Sequence, residues 1–192
     1  MVTGDESWLK YSNPPSGQWL APGARAPETP RLTVASKKVM IVVFWNPHGL
    51  QQISAVSQGS SLKAQEFCDT VLQQIADSPA SGEARLNGKH LLVHFDNAPI
   101  HTAEIVKEKM SELSLTLLPH PAYSPDLAPS DFFLFGYLKN RAKGIDFACE
   151  DDVIEWVRDE FQRIPKGTLH RVFEEWIYRL ERCIQVNGEY IE

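Results

Sequence analysis

Cysteine is scarce in this chain of 192 residues, and Cys68, Cys149 and Cys183 are odd in number, far apart and at no zinc-ligand spacing. That argues against a disulfide framework, and the three read as reduced, buried thiols of an intracellular protein. Long apolar runs are missing too. The longest, Val39 to Trp45, is strand length and well below the roughly 18 residues of a bilayer span. The N-terminus carries Asp5 and Glu6 where a secretory signal carries base and then an apolar stretch, so neither export nor a membrane partner is expected. A basic excess is also absent. Nineteen Lys and Arg against twenty-five Asp and Glu give a net charge of −6, which argues against a domain that holds nucleic acid by phosphate neutralisation alone. The 43% of hydrophobic residues suffices for a core, so disordered and low-complexity classes are excluded. The length points to a single domain.

Residues 11–36 hold Pro14-Pro15, Pro22-Gly23, Pro27 and Pro30 with no clean periodicity, which predicts an irregular arm inserted after the first strand. Lys37-Lys38 then opens the Val39–Trp45 run, predicted to be a strand buried on both faces. Asn46-Pro47-His48-Gly49 predicts a turn and Leu50 to Val56 the returning strand. Phe67, Val71 and Ile75 mark a helix from Leu62 to about Asp77. Lys89 to Phe95 is a second core strand, followed by a helix from about Thr102 to Glu112 and a short strand from Leu115 to Leu118. Strand, helix, strand in about thirty residues is a crossover unit and requires a mixed sheet with a parallel pair. Four prolines between Pro119 and Pro129 rule out regular structure there. Helices are predicted from Ser130 to about Lys143, Asp151 to Ile164 and Lys166 to about Val186, so residues 150–192 form a helical C-terminus. The fold class is α/β, a mixed central sheet flanked by helices.

Three aspartates stand out by position. Asp5 lies in the opening segment, Asp96 ends an apolar strand, and Asp131 lies in the first turn of the helix after the proline-rich segment. A carboxylate at the carboxyl end of a buried strand faces the crevice where open α/β sheets bind ligands. Carboxylates gathered there suit hard divalent cations, and a pair of such ions can serve phosphodiester chemistry. An aspartate at a strand end or in a first helical turn is, however, also a common turn former or cap.

Three motifs separate these readings. Thr3-Gly4-Asp5-Glu6-Ser7-Trp8, His94-Phe95-Asp96-Asn97-Ala98-Pro99-Ile100-His101 and His120-Pro121-Ala122-Tyr123-Ser124-Pro125-Asp126-Leu127-Ala128-Pro129-Ser130-Asp131 resemble the catalytic-domain motifs of mariner-like DDE transposases. As that branch requires, 34 residues lie between Asp96 and Asp131, and the resemblance runs from Thr3 to the C-terminus. It implies an RNase H-like fold in which Asp5, Asp96 and Asp131 hold two Mg²⁺ or Mn²⁺ ions. The implied reaction is hydrolysis of a phosphodiester at a transposon end, then attack of the freed 3′-hydroxyl on target DNA. The implied partners are double-stranded DNA and a second copy of the chain, with a full-length transposase a further partner. The implied location is the nucleus of a eukaryote or otherwise the cytoplasm. The alternative is an inactive remnant that serves as a dimerisation or DNA-binding module.

Asn97, His101, His120 and Tyr123 flank the aspartates, and each reads either as a residue that supports the metal site or touches substrate, or as a structural one. Lys37, Lys38, Lys139, Arg141 and Lys143 are the local basic candidates for phosphate contact, with a solvated charged face as the alternative. Glu6 is set aside, because in a strand it points away from Asp5. Asp126 reads as a turn residue. The resemblance also implies helix-turn-helix modules ahead of Asp5, where this sequence has four residues. A first strand cut short on its N-terminal side is therefore expected, together with weak, salt-dependent DNA binding.

Overall fold

The computed structural model describes residues 1–14, 23, 37–79 and 89–190. The apolar run after Lys37 forms β2 (Lys38–Asn46), which pairs antiparallel with β1 (Val2–Lys10) on one side and with β3 (Gly49–Val56) on the other. The β2–β3 turn is closed by Asn46, whose Oδ1 accepts the backbone N–H groups of His48 (2.8 Å) and Gly49 (3.1 Å). Two parallel strands, β4 (Leu91–His94) and β5 (Leu115–Leu117), complete the sheet in the order β3-β2-β1-β4-β5. The predicted crossover unit is thus present, with α2 (Glu104–Glu112) between β4 and β5.

Alternation along β2 explains why its apolar run is continuous. Val39, Ile41, Val43 and Trp45 enter one core, while Val42 and Phe44 enter the other, so each face of the sheet carries a helical layer. The second core is roofed by α2 and by α1, in which a π-helical turn (Phe67–Leu72) joins two short α-helical pieces (Ala64–Glu66 and Gln73–Ala76). The first core is covered by α3, α4 and α5. α3 starts as a π-helical turn (Ser130–Leu134) and continues as α-helix (Phe135–Arg141); α4 is Glu150–Arg163 and α5 is Lys166–Gln185.

Trp45 is the hub of the first core. Fully buried, it packs against Phe133, Phe161 and Phe173, and its Nε1–H donates to Ser130 Oγ at 3.2 Å. One side chain thereby ties β2 to the residue preceding Asp131. Buried Glu160 of α4 accepts bonds from Arg141 (2.9 Å) and Arg163 (2.6 Å) and from Tyr137 (3.2 Å), so its charge is compensated and α3 is held to α4.

β1 begins at Val2, three residues before Asp5, and pairs with β2 from Thr3 to Lys10. One expectation is corrected: the thiols are not all buried. Cys68 is, but Cys149 is exposed at the start of α4 and Cys183 is half-buried near the end of α5. Of the predicted arm, residues 11–14 are described. Tyr11 N–H bonds Lys37 O (3.0 Å), Ser12 bridges Asp146 and Asn13 N–H bonds Ile145 O (3.3 Å), which stitches the arm's first residues to the α3–α4 connection. The rest of the arm, with Trp19, lies outside the described residues apart from Gly23. No helix among the described residues is long and apolar enough to cross a membrane.

Candidate active site

The period of two in β1 sends Asp5 toward the face covered by α3 and Glu6 toward the face covered by α1 and α2, since Leu9 joins the first core and Val2 the second. Asp96 stands two residues beyond the end of β4, the strand that pairs in parallel with β1 through Val2 and Thr3. Asp131 sits in the π-helical first turn of α3, a backbone form frequent at functional sites. A strand interior, a strand end and a helix start thus bring the three predicted carboxylates to one end of the sheet.

Their electrostatics report the proximity. Burial, followed by the charge of Asp131 and then those of Glu6 and Asp96, pushes the Asp5 carboxyl up to about 8. The Asp131 carboxyl is raised in the same way, by the protein packed around it and by Asp96, with Lys139 opposing. Asp96 is held below the usual carboxylate range by the hydrogen bond from His101, against burial, and by the backbone N–H of Ala98. Carboxylates that destabilise one another's charged forms, with all-oxygen donors, match the chemistry of a hard divalent cation. Among the described residues no three carboxylate, imidazole or thiolate groups close on one ion position as the side chains stand. Asp5 Oδ1 accepts the Glu6 N–H at 2.7 Å, and Asp96 Oδ1 is turned to His101 and Ala98.

Without a bound cation, this crowding sets a pH dependence. A carboxyl whose pKa is higher in the folded than in the unfolded chain keeps its proton longer when folded, so stability falls as pH rises between the two values. For Asp5 that window runs from about 4 to 8. Thermal melts in EDTA between pH 5 and 8 should therefore show a fall in Tm that the Asp5→Asn protein lacks, and excess Mn²⁺ should remove the difference. Equal pH slopes for the two proteins would refute it.

A cleft of about 500 Å³ opens in front of Asp96 and Asp131, lined also by Asn97, His120, Tyr123 and Ser124. Three of the four predicted flanking residues thus meet two of the aspartates. Asn97 Nδ2–H donates to His120 O (2.7 Å), linking the strand end to the proline-rich loop. His120 Nδ1 shares a hydrogen bond with His94 Nε2 (3.0 Å), and His94 Nδ1 another with Thr3 Oγ1 (2.9 Å). Burial and the neighbouring His120 drive His94 down to about 3, so this chain from β1 to the cleft wall is neutral at ordinary pH. Tyr123, fully exposed and at φ +55°, projects from the loop. Buried Asp126 lies in the one-turn helix Pro125–Leu127, and its carbonyl accepts Arg179 Nη1–H (3.2 Å).

His101 lies behind the cleft, not in it. Its buried ring donates Nδ1–H to Asp96 Oδ1 (2.8 Å) and Nε2–H to Glu6 Oε1 (3.2 Å). Burial opposes its charge, but these two bonds overcome it and raise its pKa to about 9. Glu6 and Ser130 are the contacts that sequence reasoning missed. Alternation places Glu6 on the far face of β1, and nothing in the spacing shows that His101 reaches it there.

The basic candidates divide. Lys139 is close enough to oppose the rise at Asp131. Arg141 is engaged by Glu160, and Lys143 Nζ–H donates to Asn140 Oδ1 (2.7 Å). Lys38 lies over the Trp8 ring at 4.3 Å and pairs with Lys10. It is five residues along β2 from Val43, the partner of Asp5, or about 17 Å at strand rise. Lys37 is further still, so the structure does not bring this pair to the aspartates. A larger cavity, about 670 Å³, between the β2–β3 turn and helices α4 and α5 is lined by His48, Arg158 and His170, with no carboxylate among its lining residues.

The family model for DDE superfamily endonucleases matches residues 1–154. The whole chain aligns at 29% identity with 28% of the human histone-lysine N-methyltransferase SETMAR, and at 28% identity with 56% of the mariner Mos1 transposase of Drosophila mauritiana. It therefore spans about a quarter and about half of the lengths of these two relatives. Among solved structures, the Mos1 mariner paired-end complex with Mn superposes with a TM-score of 0.86 at 30% identity, over all of this chain and 56% of that one. The catalytic domain of Mos1 transposase does so with a TM-score of 0.78 at 27% identity, over all of this chain and 83% of that one. With the mixed sheet, its flanking helices and the spacing of Asp96 and Asp131, these likenesses show that the chain belongs to the DDE superfamily of endonucleases, as a mariner-like catalytic domain of RNase H-like fold.

Proposed function

We propose that this chain cuts DNA and joins the freed strand end to new DNA, the two chemical steps of cut-and-paste transposition. The cleft that presents Asp96 and Asp131 together with Asn97, His120 and Tyr123, beside a carboxyl at Asp5 that burial and their charge push up, is the observation that carries this reading. Asp5, Asp96 and Asp131 would hold the ions, Asp96 through the Oδ2 that its bonds to His101 and Ala98 leave open, Asp5 and Asp131 after side-chain rotation. When bound, two Mg²⁺ or Mn²⁺ ions supply the positive charge that stabilises the attacking and leaving oxygens of an in-line displacement at phosphorus. In the first step water displaces one ester oxygen and leaves a 3′-hydroxyl; in the second that hydroxyl displaces an ester oxygen of target DNA. No protein side chain is covalently attached. Asn97 and the neutral His120 line the path of the scissile strand, and Lys139 offers its charge to a phosphate near Asp131.

The substrate in this reading is double-stranded DNA, transposon end and target, and the site of action in a eukaryote is the nucleus. In this reading the protein partner is a second copy of the chain or a full-length transposase. With a net charge of −6, the chain should hold DNA weakly and with a steep salt dependence. Incubation with supercoiled plasmid tests the reading. Nicking is expected with Mn²⁺ and not with EDTA, and duplex DNA should compete better than an RNA–DNA hybrid. A chain that dimerises and binds DNA without metal-dependent nicking would be a binding module instead.

A further inference from the structure

We propose that Glu6 is a positioning residue for Asp96, acting through His101. The proposal rests on the reading of Asp96 as a metal ligand. Glu6 cannot share an ion with Asp5, because β1 alternation puts the two carboxylates on opposite faces of the sheet. On its own face it meets the His101 ring, which is buried between the rings of Phe67 and Phe95 at centroid distances of 4.7 and 4.8 Å.

An imidazole tethered at one nitrogen can still turn about its ring torsion. The second tether, from Nε2–H to Glu6 Oε1 (3.2 Å), fixes the plane and therefore the direction of Nδ1–H. That N–H and the backbone N–H of Ala98 (2.9 Å) both end on Asp96 Oδ1. Asp96 Oδ2 is left without a hydrogen-bond donor among the described residues, and it is the oxygen available to an ion. Glu6 is largely buried, its side chain 15% exposed, so without His101 its charge would be costly to keep there. A strand, a strand end and the loop before α2, with Glu6 and His101 95 positions apart, thus converge on the orientation of one carboxylate.

Titration of the purified, DNA-free protein with Mn²⁺, read by the electron paramagnetic resonance signal of the free ion, tests this. Glu6→Ala and Glu6→Met, which lack an acceptor at that position, are expected to bind Mn²⁺ about ten-fold more weakly, and Glu6→Gln, whose amide carbonyl still accepts from Nε2–H, within about three-fold of the unaltered chain. Folding of each variant is checked by circular dichroism. A folded Glu6→Ala or Glu6→Met protein with unaltered affinity overturns the proposal. So does a Glu6→Gln protein as weak as Glu6→Ala, since charge and not the tether would then matter. Failure of both Ala and Met variants to fold also overturns it, by making Glu6 a residue of the fold. Asp96→Asn tests the underlying reading separately: if it keeps full Mn²⁺ affinity, Asp96 is not a ligand and that reading falls on its own.

Discussion

Asp96→Ala protein, given supercoiled DNA and Mn²⁺, is expected to nick about a thousand-fold more slowly than the unaltered chain, or not measurably. Loss of a partner that merely orients a ligand costs 10- to 100-fold, so removal of a ligand itself should cost more. Asp131→Asn should lose as much activity but differ in stability. The Asp131 carboxyl is pushed up by the packing around it and by Asp96, so its charged form is disfavoured in the metal-free protein. A neutral isostere relieves that repulsion, and Tm in EDTA should stay the same or rise. Activity and metal-free stability would then move in opposite directions, as expected where a site holds like charges together for a function. Nicking by Asp96→Ala at the unaltered rate would place the chemistry on other residues, and a marked fall in the EDTA Tm of Asp131→Asn would show that this carboxylate serves the fold.

Gly4→Ala should damage the fold more than any single methyl group added to the surface. Gly4 faces Phe44 across the β1–β2 ladder, and a Cβ there would overlap Phe44 Cγ and Cδ1. Those atoms belong to the root of a fully buried ring wedged against Phe67 and Phe95, so the ring cannot swing aside. The expected cost is about 3 kcal/mol, the top of the usual range for overpacking. For a domain of this size that lowers Tm by roughly 6–12 °C. Gly4 also sits between Thr3, which bonds His94, and Asp5, so any shift of β1 to relieve the clash moves Asp5 as well. Phe44→Leu in the same chain makes room and should restore part of the loss beyond additivity, the mark of a direct contact. A Gly4→Ala protein that melts with the unaltered chain would refute the close approach.

Much of the site was legible because its signals are local. Asp96 and Asp131 announce themselves by a fixed separation inside ordered motifs, and Asn97, His120 and Tyr123 adjoin them in the chain. Lys37 and Lys38 read as candidates on charge alone, and strand rise then carries them away from the aspartates. Arg141 reads as a candidate of the same kind, but Glu160 nineteen residues on holds its guanidinium. Local charge says nothing of what faces it across the fold.

The same division holds for the fold. Period and composition determined, from sequence alone, the two-faced strand β2, the hairpin, the crossover around α2 and the C-terminal helices, because each records only which side of an element is buried. Which residue stands opposite was decided by tertiary structure. Trp45 donating to Ser130, Phe44 leaving space only for a glycine at position 4, and His101 reaching Glu6 all join residues 40 to 95 positions apart. Alternation could place Glu6 on the far side of β1. Only the packing of the loop before α2 against that face linked it, through His101, to Asp96.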